Sequence, residues 1–342
     1  MKPSFFHHLH PPTIPAAQAR LRYTLGAGGL AIFLALVAGF TGMLEMFYYV
    51  PTPAEAPLSV QTITFLAPFG WLVRNLHYWS AQLLVLAAGA HLLRVILTGA
   101  YAPPRRFNYL LGLALFVLIL FLDFSGYVLR WDVGVQWALI TSTNLLAQFP
   151  LVGPWLYGLL VGGGQPGSAA LVRFFNWHVY GLTLLVIGLG VWHTFRVRRD
   201  GGIAVPPAEL RSDSQRITRF ELVRREAAAA VFALAFLVIL SALFPAPLAA
   251  PIRDGHGQPA ETTAPWFFLW VQQVLKLGNP FLFGVVLPSL ILLLLGLLPY
   301  IFPAPRPEEL GRWFPPSARL AQIAALLVTL ALVGLTIAGW LL

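Results

Sequence analysis

The fold is decided by an apolar stretch that reads GWLVRNLHYWSAQLLVLAAGAHLLR over residues 70–94 and carries two histidines, His77 and His91. A second apolar stretch carries His178 and His193. Spacings of 14 and 15 residues return to nearly the same face of a helix and separate the two histidines by about 21–22 Å along its axis. Two such helices side by side would pair their histidines at two depths. That is the geometry for two bis-histidine haems stacked across a bilayer.

The composition places these stretches in a membrane. Of the 342 residues, 58% are hydrophobic and 10% are charged, whereas soluble domains carry about 25% charged residues. Apolar runs of about 18 residues or more predict transmembrane helices. The predicted fold class is therefore all-α transmembrane, with an N-terminal four-helix haem-binding bundle and three further transmembrane helices. The predicted spans are 25–49, 71–98, 109–130, 170–197, 227–245, 281–302 and 318–341.

Positive charge predicts the orientation, because arginine and lysine are enriched in cytoplasmic loops. The arginine-rich segments alternate with the spans, so that the N-terminus lies in the cytoplasm and the C-terminus lies outside a bacterial cell membrane. The net charge of +9 then belongs to cytoplasmic loops and does not indicate a nucleic-acid partner. The predicted domains are a cytoplasmic tail (1–24), the di-haem bundle (25–200), a cytoplasmic linker (201–226) and a three-helix region (227–342).

This orientation puts His77 and His178 near the outer surface, and His91 and His193 near the inner surface. A lone histidine in a helix is usually a packed or hydrogen-bonded side chain. Ionisable residues inside a span are costly, however, and mark functional sites. Because all four histidines fall into two pairs at matching depths, we expect them to bind haem. The chain has no cysteine, which excludes thioether-attached haem and thiolate iron–sulfur ligation within it.

Arginines and glycines repeat around the histidines. Arg74 precedes His77 by three residues and Arg94 follows His91 by three, so each would bind a haem propionate or, alternatively, extend towards the membrane surface from a helix end. Two pairs of glycines are also spaced 14 residues apart. Glycine would let a flat macrocycle lie close to the helix backbone, although helix–helix packing through small residues is the alternative. The glycines are Gly28, Gly42, Gly112 and Gly126.

Two acidic residues, Glu45 and Asp123, fall in the outer halves of predicted spans. Each would act as a proton acceptor or would be neutral or paired inside the bundle. The sequence favours neither interpretation.

These residues closely resemble cytochrome b of the respiratory and photosynthetic cytochrome bc complexes. The resemblance rests on four motifs: Gly70-Trp-x-x-Arg74-x-x-His77, His91-x-x-Arg94, Gly126-Tyr-Val-Leu-x-Trp131, and Arg173-Phe-x-x-x-His178 followed by His193. The 15-residue spacing of the second histidine pair and the seven spans are similar to the b6 branch. In that branch the chain is split after the fourth helix, whereas here a part resembling subunit IV is fused to it.

The resemblance implies a redox subunit of a quinol:cytochrome c (or other acceptor) oxidoreductase. His77 and His178 would hold the outer b-type haem, and His91 and His193 the inner one, with Arg173 as a further cofactor-binding residue. In this family quinol gives one electron to a Rieske-type iron–sulfur subunit, and the other passes through both haems to a quinone at the inner site. A cytochrome c-type subunit, the lipid membrane and a second copy of the chain are the other implied partners.

The sequence departs from the family at the outer quinol site. The family motif Pro-Glu-Trp-Tyr is replaced by Ala264-Pro265-Trp266-Phe267, and the usual proline of Gly-Tyr-x-Leu-Pro-Trp is Arg130. Asp123, Glu261 or His256 would then supply the missing base, or the site would not divide the two electrons in the standard way. The candidate catalytic residues are Asp123, Glu261, Arg130 and Trp266.

Two other functions stay open. The chain would relay electrons between quinone and a redox partner other than a Rieske protein, or it would be a haem-free transporter or structural membrane protein. A haem spectrum of the purified chain separates the last possibility from the others.

Overall fold

The computed structural model describes residues 11–212, 215–251 and 263–341, and it is built mainly from α-helices. Seven helices in these ranges are long and apolar enough to cross a membrane, which confirms the predicted all-α transmembrane fold. They are α1 (Ala27–Glu45), α2 (Gly70–Leu97), α3 (Arg106–Val128), α4 (Ser168–Arg199), α5 (Arg219–Leu243), α6 (Phe281–Ile301) and α7 (Pro316–Leu341).

The largest difference from the predicted spans is at the start of α5, which begins at Arg219 rather than at residue 227. Thr218 caps this helix, because its hydroxyl oxygen accepts a hydrogen bond of 3.2 Å from the backbone N–H of Glu221. Glu221 also pairs with Arg224 and Arg225 within the first turns. These polar contacts extend the helix beyond its apolar part, where hydropathy gives no signal.

The connections contain one small sheet and several short helices. β1 (Thr13–Pro15) pairs with β2 (Arg216–Thr218) in antiparallel register. Short helices cover Ala56–Phe65, Val133–Ala147, Gly153–Val161, Pro207–Ser212 and Leu269–Leu275. Two of them lie in the long connection between α3 and α4.

The helices α1 to α4 form a bundle, and the other three pack on its outside. Within the bundle, α2 packs against α1 and α3, and α3 packs against α4. From outside, α5 and α7 contact α2, and α6 contacts α3. The largest core cluster joins the bundle to α5 through side chains that are at most 5% exposed: Leu34, Leu84, Val128, Leu171 and Leu237.

The loops that the charge pattern predicts on the cytoplasmic side meet at one end of the bundle. The β1–β2 pair joins the N-terminal segment to the linker before α5, and Tyr23 is buried against Val205 of that linker. The loop between α6 and α7 reaches the same end, where Trp313 Nε1 donates a 2.9 Å hydrogen bond to the carbonyl of Arg22. The N-terminal segment from residue 11 onwards is therefore folded against the linker.

At the opposite end, Asn75 of α2 holds the end of α5 and the loop that follows it. Its side chain is 3% exposed. Asn75 Nδ2 donates to the Ser241 carbonyl at 2.8 Å, and its Oδ1 accepts from the Ala246 backbone N–H at 3.0 Å. Both halves of the amide are therefore used to join the bundle to the C-terminal helices.

We expect Asn75→Ala to lower the free energy of unfolding by about 1–3 kcal/mol, because it leaves a buried carbonyl and a buried N–H without partners. Thermal unfolding of the purified protein in detergent measures the effect. Asn176→Ala is the matched control, since Asn176 is exposed and bonds to the Val172 carbonyl of its own helix. Equal stability of the two variants would contradict the role given to Asn75.

Candidate cofactor site

A cavity of about 3000 Å³ runs through the middle of the bundle. Pockets for drug-sized ligands occupy about 300–1,000 Å³, so this cavity has room for more than one large cofactor. It extends from Arg22 at the end where the predicted cytoplasmic loops meet to Trp266 at the other end. All four histidines and all four predicted glycines line it.

The histidines meet in the two pairs that the sequence predicts. The ring centroids of His77 and His178 are 6.2 Å apart, and those of His91 and His193 are 6.3 Å apart. Two imidazole–metal bonds of about 2.0–2.1 Å each, together with the radius of one ring on each side, add up to a separation of this size. Each pair is therefore spaced to bind one metal ion between its rings.

A π-helical turn explains why the two spacings differ by one residue. Residues Trp177–Leu182 of α4 form this turn, and His178 lies in it. A π turn accommodates one extra residue in a helix, so 15 residues in α4 cover the same rotation as 14 residues in α2. Both helices thereby present their two histidines on one face.

Each histidine ring lies against one of the repeated glycines. A Cβ atom added to Gly42 would be 2.9 Å from His77 Cε1, and one added to Gly126 would be 2.8 Å from His178 Cε1. At the other depth, the corresponding Cβ atoms of Gly28 and Gly112 would be 3.1 Å and 3.2 Å from Cε1 of His91 and His193. The glycines therefore make room for the imidazole rings, whereas the sequence predicted contact with the macrocycle itself.

The outer histidines are held through Nδ1. His77 Nδ1 lies 2.9 Å from the Ala38 carbonyl and 3.2 Å from Thr41 Oγ1, and His178 Nδ1 lies 3.0 Å from both the Leu122 carbonyl and Ser125 Oγ.

The two hydroxyls decide which ring nitrogen of the outer histidines carries the proton. Thr41 donates its hydroxyl hydrogen to the Val37 carbonyl, and Ser125 donates its own to the Leu122 carbonyl. Each hydroxyl can therefore only accept from the histidine, which places the proton on Nδ1 and leaves Nε2 free to bind a metal.

The inner histidines lack these partners. Nδ1 of His91 and Nδ1 of His193 are buried and have no hydrogen-bond partner within the described residues. The Asn108 carbonyl influences His193, but it falls outside hydrogen-bond geometry. The residues before Gly28 and Gly112 are Ala27 and Leu111, so no hydroxyl is available there.

Two buried arginines join the ends of the cavity to the loops that cover them. Arg74 donates to the carbonyls of Ala246 and Pro247, at 3.1 Å and 2.6 Å. At the other end Arg94 Nε donates to the Tyr23 carbonyl at 2.6 Å. Both arginines also line the cavity, and a guanidinium has five N–H groups, so neither contact uses up its donors.

Further arginines have donors without partners at the end of the cavity near Arg94. Arg105 Nε and Arg198 NH1 are buried and unpaired within the described residues, and both side chains line the cavity. Burial lowers the pKa of Arg105, and the nearby carboxylate of Asp200 opposes this shift. Such donors favour an anionic group at this end.

Arg173 does not line the cavity, unlike the other arginines assigned to the cofactor. Its NH1 donates to the carbonyls of Gly158 and Leu159 at the end of the short helix Gly153–Val161. The structure therefore gives Arg173 a role in fixing the connection between α3 and α4.

The candidate catalytic residues lie at the end of the cavity away from the cytoplasmic loops. Asp123 and Trp266 line it and are joined through Gln82, which the sequence did not single out. Arg130 lines it too, but it is paired with Asp132 at 2.7 Å. Glu261 and His256 lie outside the described residues.

Glu45 lines the same end of the cavity. Its Oε1 is buried and has no hydrogen-bond partner among the described residues. The structure therefore separates the two acids that the sequence left equivalent, since Asp123 is hydrogen-bonded and Glu45 has a free oxygen.

A family model described as Cytochrome b(N-terminal)/b6/petB matches residues 82–251. The cytochrome b6 of Heliobacterium modesticaldum is 37% identical over 192 residues, which cover 56% of this chain and 88% of that protein. The chain belongs to the cytochrome b/b6 family. The cytochrome b6 of Synechococcus elongatus is also 37% identical, over 51% of this chain and 81% of that one.

The cytochrome b fold extends over the whole chain. A chain of the solved structure called Hyperthermophilic respiratory Complex III matches with a TM-score of 0.76, covering 98% of this chain and 95% of that chain at 22% sequence identity. The predicted resemblance is thereby confirmed. The protein is a multi-pass membrane cytochrome of electron transport, and its family binds b-type haem.

The residues of the cavity fit b-type haem. Within the described residues no group of three or more His, Cys, Asp or Glu side chains is placed to hold a metal ion. Two facing imidazoles suit an iron whose remaining ligands come from a macrocycle, and the cavity beside them is large enough for one.

Sequence reasoning missed the polar partners of the outer histidines. Thr41 and Ser125 each stand directly before a repeated glycine, Gly42 and Gly126. This repeat was the available signal.

We expect Gly42→Ala and Gly126→Ala to weaken haem binding by about tenfold or more, because overpacking a filled site costs about 1–3 kcal/mol. The reduced b-type absorbance per mole of purified protein measures the occupancy. Gly39→Ala on α1 is the matched control, since a Cβ there meets nothing within 4 Å. If Gly39→Ala loses as much haem as Gly42→Ala, contact with the histidine ring is not the cause.

Proposed function

We propose that the protein is the di-haem cytochrome b subunit of a bc-type quinol oxidoreductase, which passes electrons from quinol across the membrane and couples this transfer to proton translocation. The observation that carries the proposal is the presence of two histidine pairs, each spaced for one iron, at two depths of one cavity. His77 and His178 hold the outer haem, and His91 and His193 hold the inner one.

Haem held by two histidines supplies one-electron transfer at an iron with no open position for substrate. The chain itself orients the four imidazoles, excludes water from them with apolar helices and leaves cationic donors at both ends for the propionates. Arg74 serves the outer end. Arg94, with Arg105 and Arg198, serves the inner end. Quinol binds at the outer end near Asp123, Arg130 and Trp266, with Glu261 as a further candidate.

The hydrogen bonds at the outer pair favour inward electron flow. Acceptors on Nδ1–H make an imidazole a better donor to the metal and stabilise the oxidised iron, which lowers its reduction potential. His77 and His178 have such acceptors, while His91 and His193 do not. Electrons that enter at the outer pair therefore move towards the inner pair.

The proposed setting is a bacterial cell membrane, with the N-terminus in the cytoplasm and the C-terminus outside. The gathering of the arginine-rich loops at one end of the bundle supports this orientation. A Rieske-type or other redox subunit, a cytochrome c-type subunit and a second copy of the chain are the proposed partners. With no cysteine in the chain, the outlet for the second electron belongs to another subunit.

A second candidate is a cytochrome b that serves a redox partner other than a Rieske protein. Arg130 favours it, because this side chain is paired with Asp132 and stacked over Tyr127, 5.0 Å from the ring centroid, where the family has proline. Identification of the subunits that copurify with the protein separates this candidate from the first.

We expect His91→Ala to remove the inner haem and to leave the outer haem largely bound, because the two pairs have separate glycines and separate hydrogen-bond partners. A redox titration of the b-type absorbance then shows one component where the wild type shows two. Loss of both components from a variant that elutes as a folded protein would argue against two independent sites. Absence of b-type absorbance from the purified wild type would overturn the proposed function in favour of a haem-free membrane protein.

We expect Ser125→Ala to raise the reduction potential of the outer haem by about 20–60 mV, since the loss of one hydrogen bond of about 0.5–1.5 kcal/mol destabilises the oxidised form. The same titration measures it, with the inner component as an internal reference. Ser142→Ala is the control, because Ser142 bonds to a carbonyl of its own short helix, Val133–Ala147. A shift of both components, or of neither, would contradict the assignment.

A further inference from the structure

We propose that Asp123 accepts the proton of a hydroquinone hydroxyl at the outer end of the cavity, and that Gln82 is the positioning residue that joins Asp123 to Trp266. The inference rests on the proposed function, because it requires quinol at that end. It assigns the work of the missing family glutamate to a carboxyl on another helix, and it adds a residue, Gln82, that the sequence gave no reason to choose.

The three side chains form one hydrogen-bonded row across two helices and the segment before α6. Gln82 Nε2 donates to both carboxyl oxygens of Asp123, at 3.0 Å and 3.2 Å. Trp266 Nε1 donates to Gln82 Oε1 at 2.6 Å. All three side chains line the cavity.

The indole fixes the direction of the row. Tryptophan has an N–H donor and no acceptor, so the oxygen of the Gln82 amide must face Trp266 and its NH₂ group must face Asp123. Gln82 is 8% exposed, so its amide is held in this orientation by its surroundings. Asp123 thereby receives a donor from the protein and keeps the remaining lone pairs of its carboxylate for a ligand in the cavity.

The position of Asp123 distinguishes it from the other acids that line the cavity. Among the described residues these are Glu45, Asp123 and Glu226. Glu226 belongs to α5 and to the cytoplasmic end. Glu45 is electrostatically linked to Arg74 and His77. Asp123 is the acid that is joined to Trp266, within the segment Ala264-Pro265-Trp266-Phe267 where the family motif carries its glutamate.

The titratable groups around Asp123 come from three directions. Tyr78 on α2 is close enough to interact with it electrostatically, and Arg74 and Arg130 act on Tyr78 in turn. From α4, His178 bonds to the neighbouring Leu122 and Ser125. The segment before α6 contributes the uncharged Trp266. No described cation is paired with Asp123, so its carboxylate is free to accept a proton.

The proposed step is a proton transfer without oxidation. The O–H bond of the hydroquinone breaks, its electron pair stays on the quinol oxygen, and a new O–H bond forms on the Asp123 carboxylate. The products are a quinol monoanion and a neutral aspartic acid. A positioned general base contributes about 10²- to 10⁴-fold to the rate.

The test uses the purified complex with its haems and follows their reduction by a short-chain quinol in stopped flow as a function of pH. We expect Asp123→Asn to slow this reduction by about 100-fold or more and to remove the part of the pH profile that follows ionisation of the carboxylate. Asp123→Glu should restore part of the rate. Gln82→Leu should slow the reaction less and displace the pH profile, because the carboxylate loses its donor. Glu55→Gln, an exposed carboxyl variant, should keep the wild-type rate and profile.

Two further measurements keep the outcomes distinct. Reduction by dithionite and the haem absorbance show whether each variant has retained its cofactors, and a variant without them is judged instead on Asp123→Glu and Gln82→Leu. If dithionite reduces the wild type and quinol does not, the proposed function fails. If quinol reduces the wild type, and Asp123→Asn or, in its place, Gln82→Leu shows the wild-type rate and pH profile, the role of this row is overturned.

Discussion

The contact between an imidazole ring and a bare stretch of helix backbone determines the rest of this structure. Each of the four histidines lies against a glycine on the neighbouring helix, where any side chain would collide with the ring. The histidines of α2 use the glycines of α1, and those of α4 use the glycines of α3. Each helix pair thus forms one layer, and the two layers face each other across the cavity with their imidazoles in between. The close approach of α1 to α2 and of α3 to α4 is therefore part of the cofactor site itself.

The two ends of the cavity are built alike but furnished differently. A buried arginine of α2, Arg74 or Arg94, anchors the covering loop at each end through backbone carbonyls. The outer end adds hydroxyls for the histidines and an acid joined to an amide and an indole. The inner end adds arginines with unused donors. This difference gives the bundle a direction, although its histidines and glycines repeat almost symmetrically.

Much of this could be predicted from the sequence, because it depends on periodicity. Hydropathy located all seven spans, and the spacing of histidines and glycines located the two pairs. The π turn was visible as a 15-residue spacing, but nothing in the residues said that the helix itself would absorb the difference. The row through Gln82 could not be predicted, since its partners Asp123 and Trp266 are 41 and 184 residues away. Arg173 shows the opposite limit: its place in a motif did not reveal that its side chain turns towards the helix Gly153–Val161.

The contacts of Asn75 bear on how the two parts of the chain came to be one polypeptide. Both of its hydrogen bonds, and both of those made by Arg74 to the loop after α5, cross from the four-helix part to the C-terminal part without involving the linker. The core cluster shared with Leu237 crosses at the same boundary. Cohesion between the two parts thus resides in side chains inside the membrane rather than in the peptide bonds of residues 201–215. A gene encoding this fold can therefore be divided or joined at the linker with little change in what holds the folded protein together.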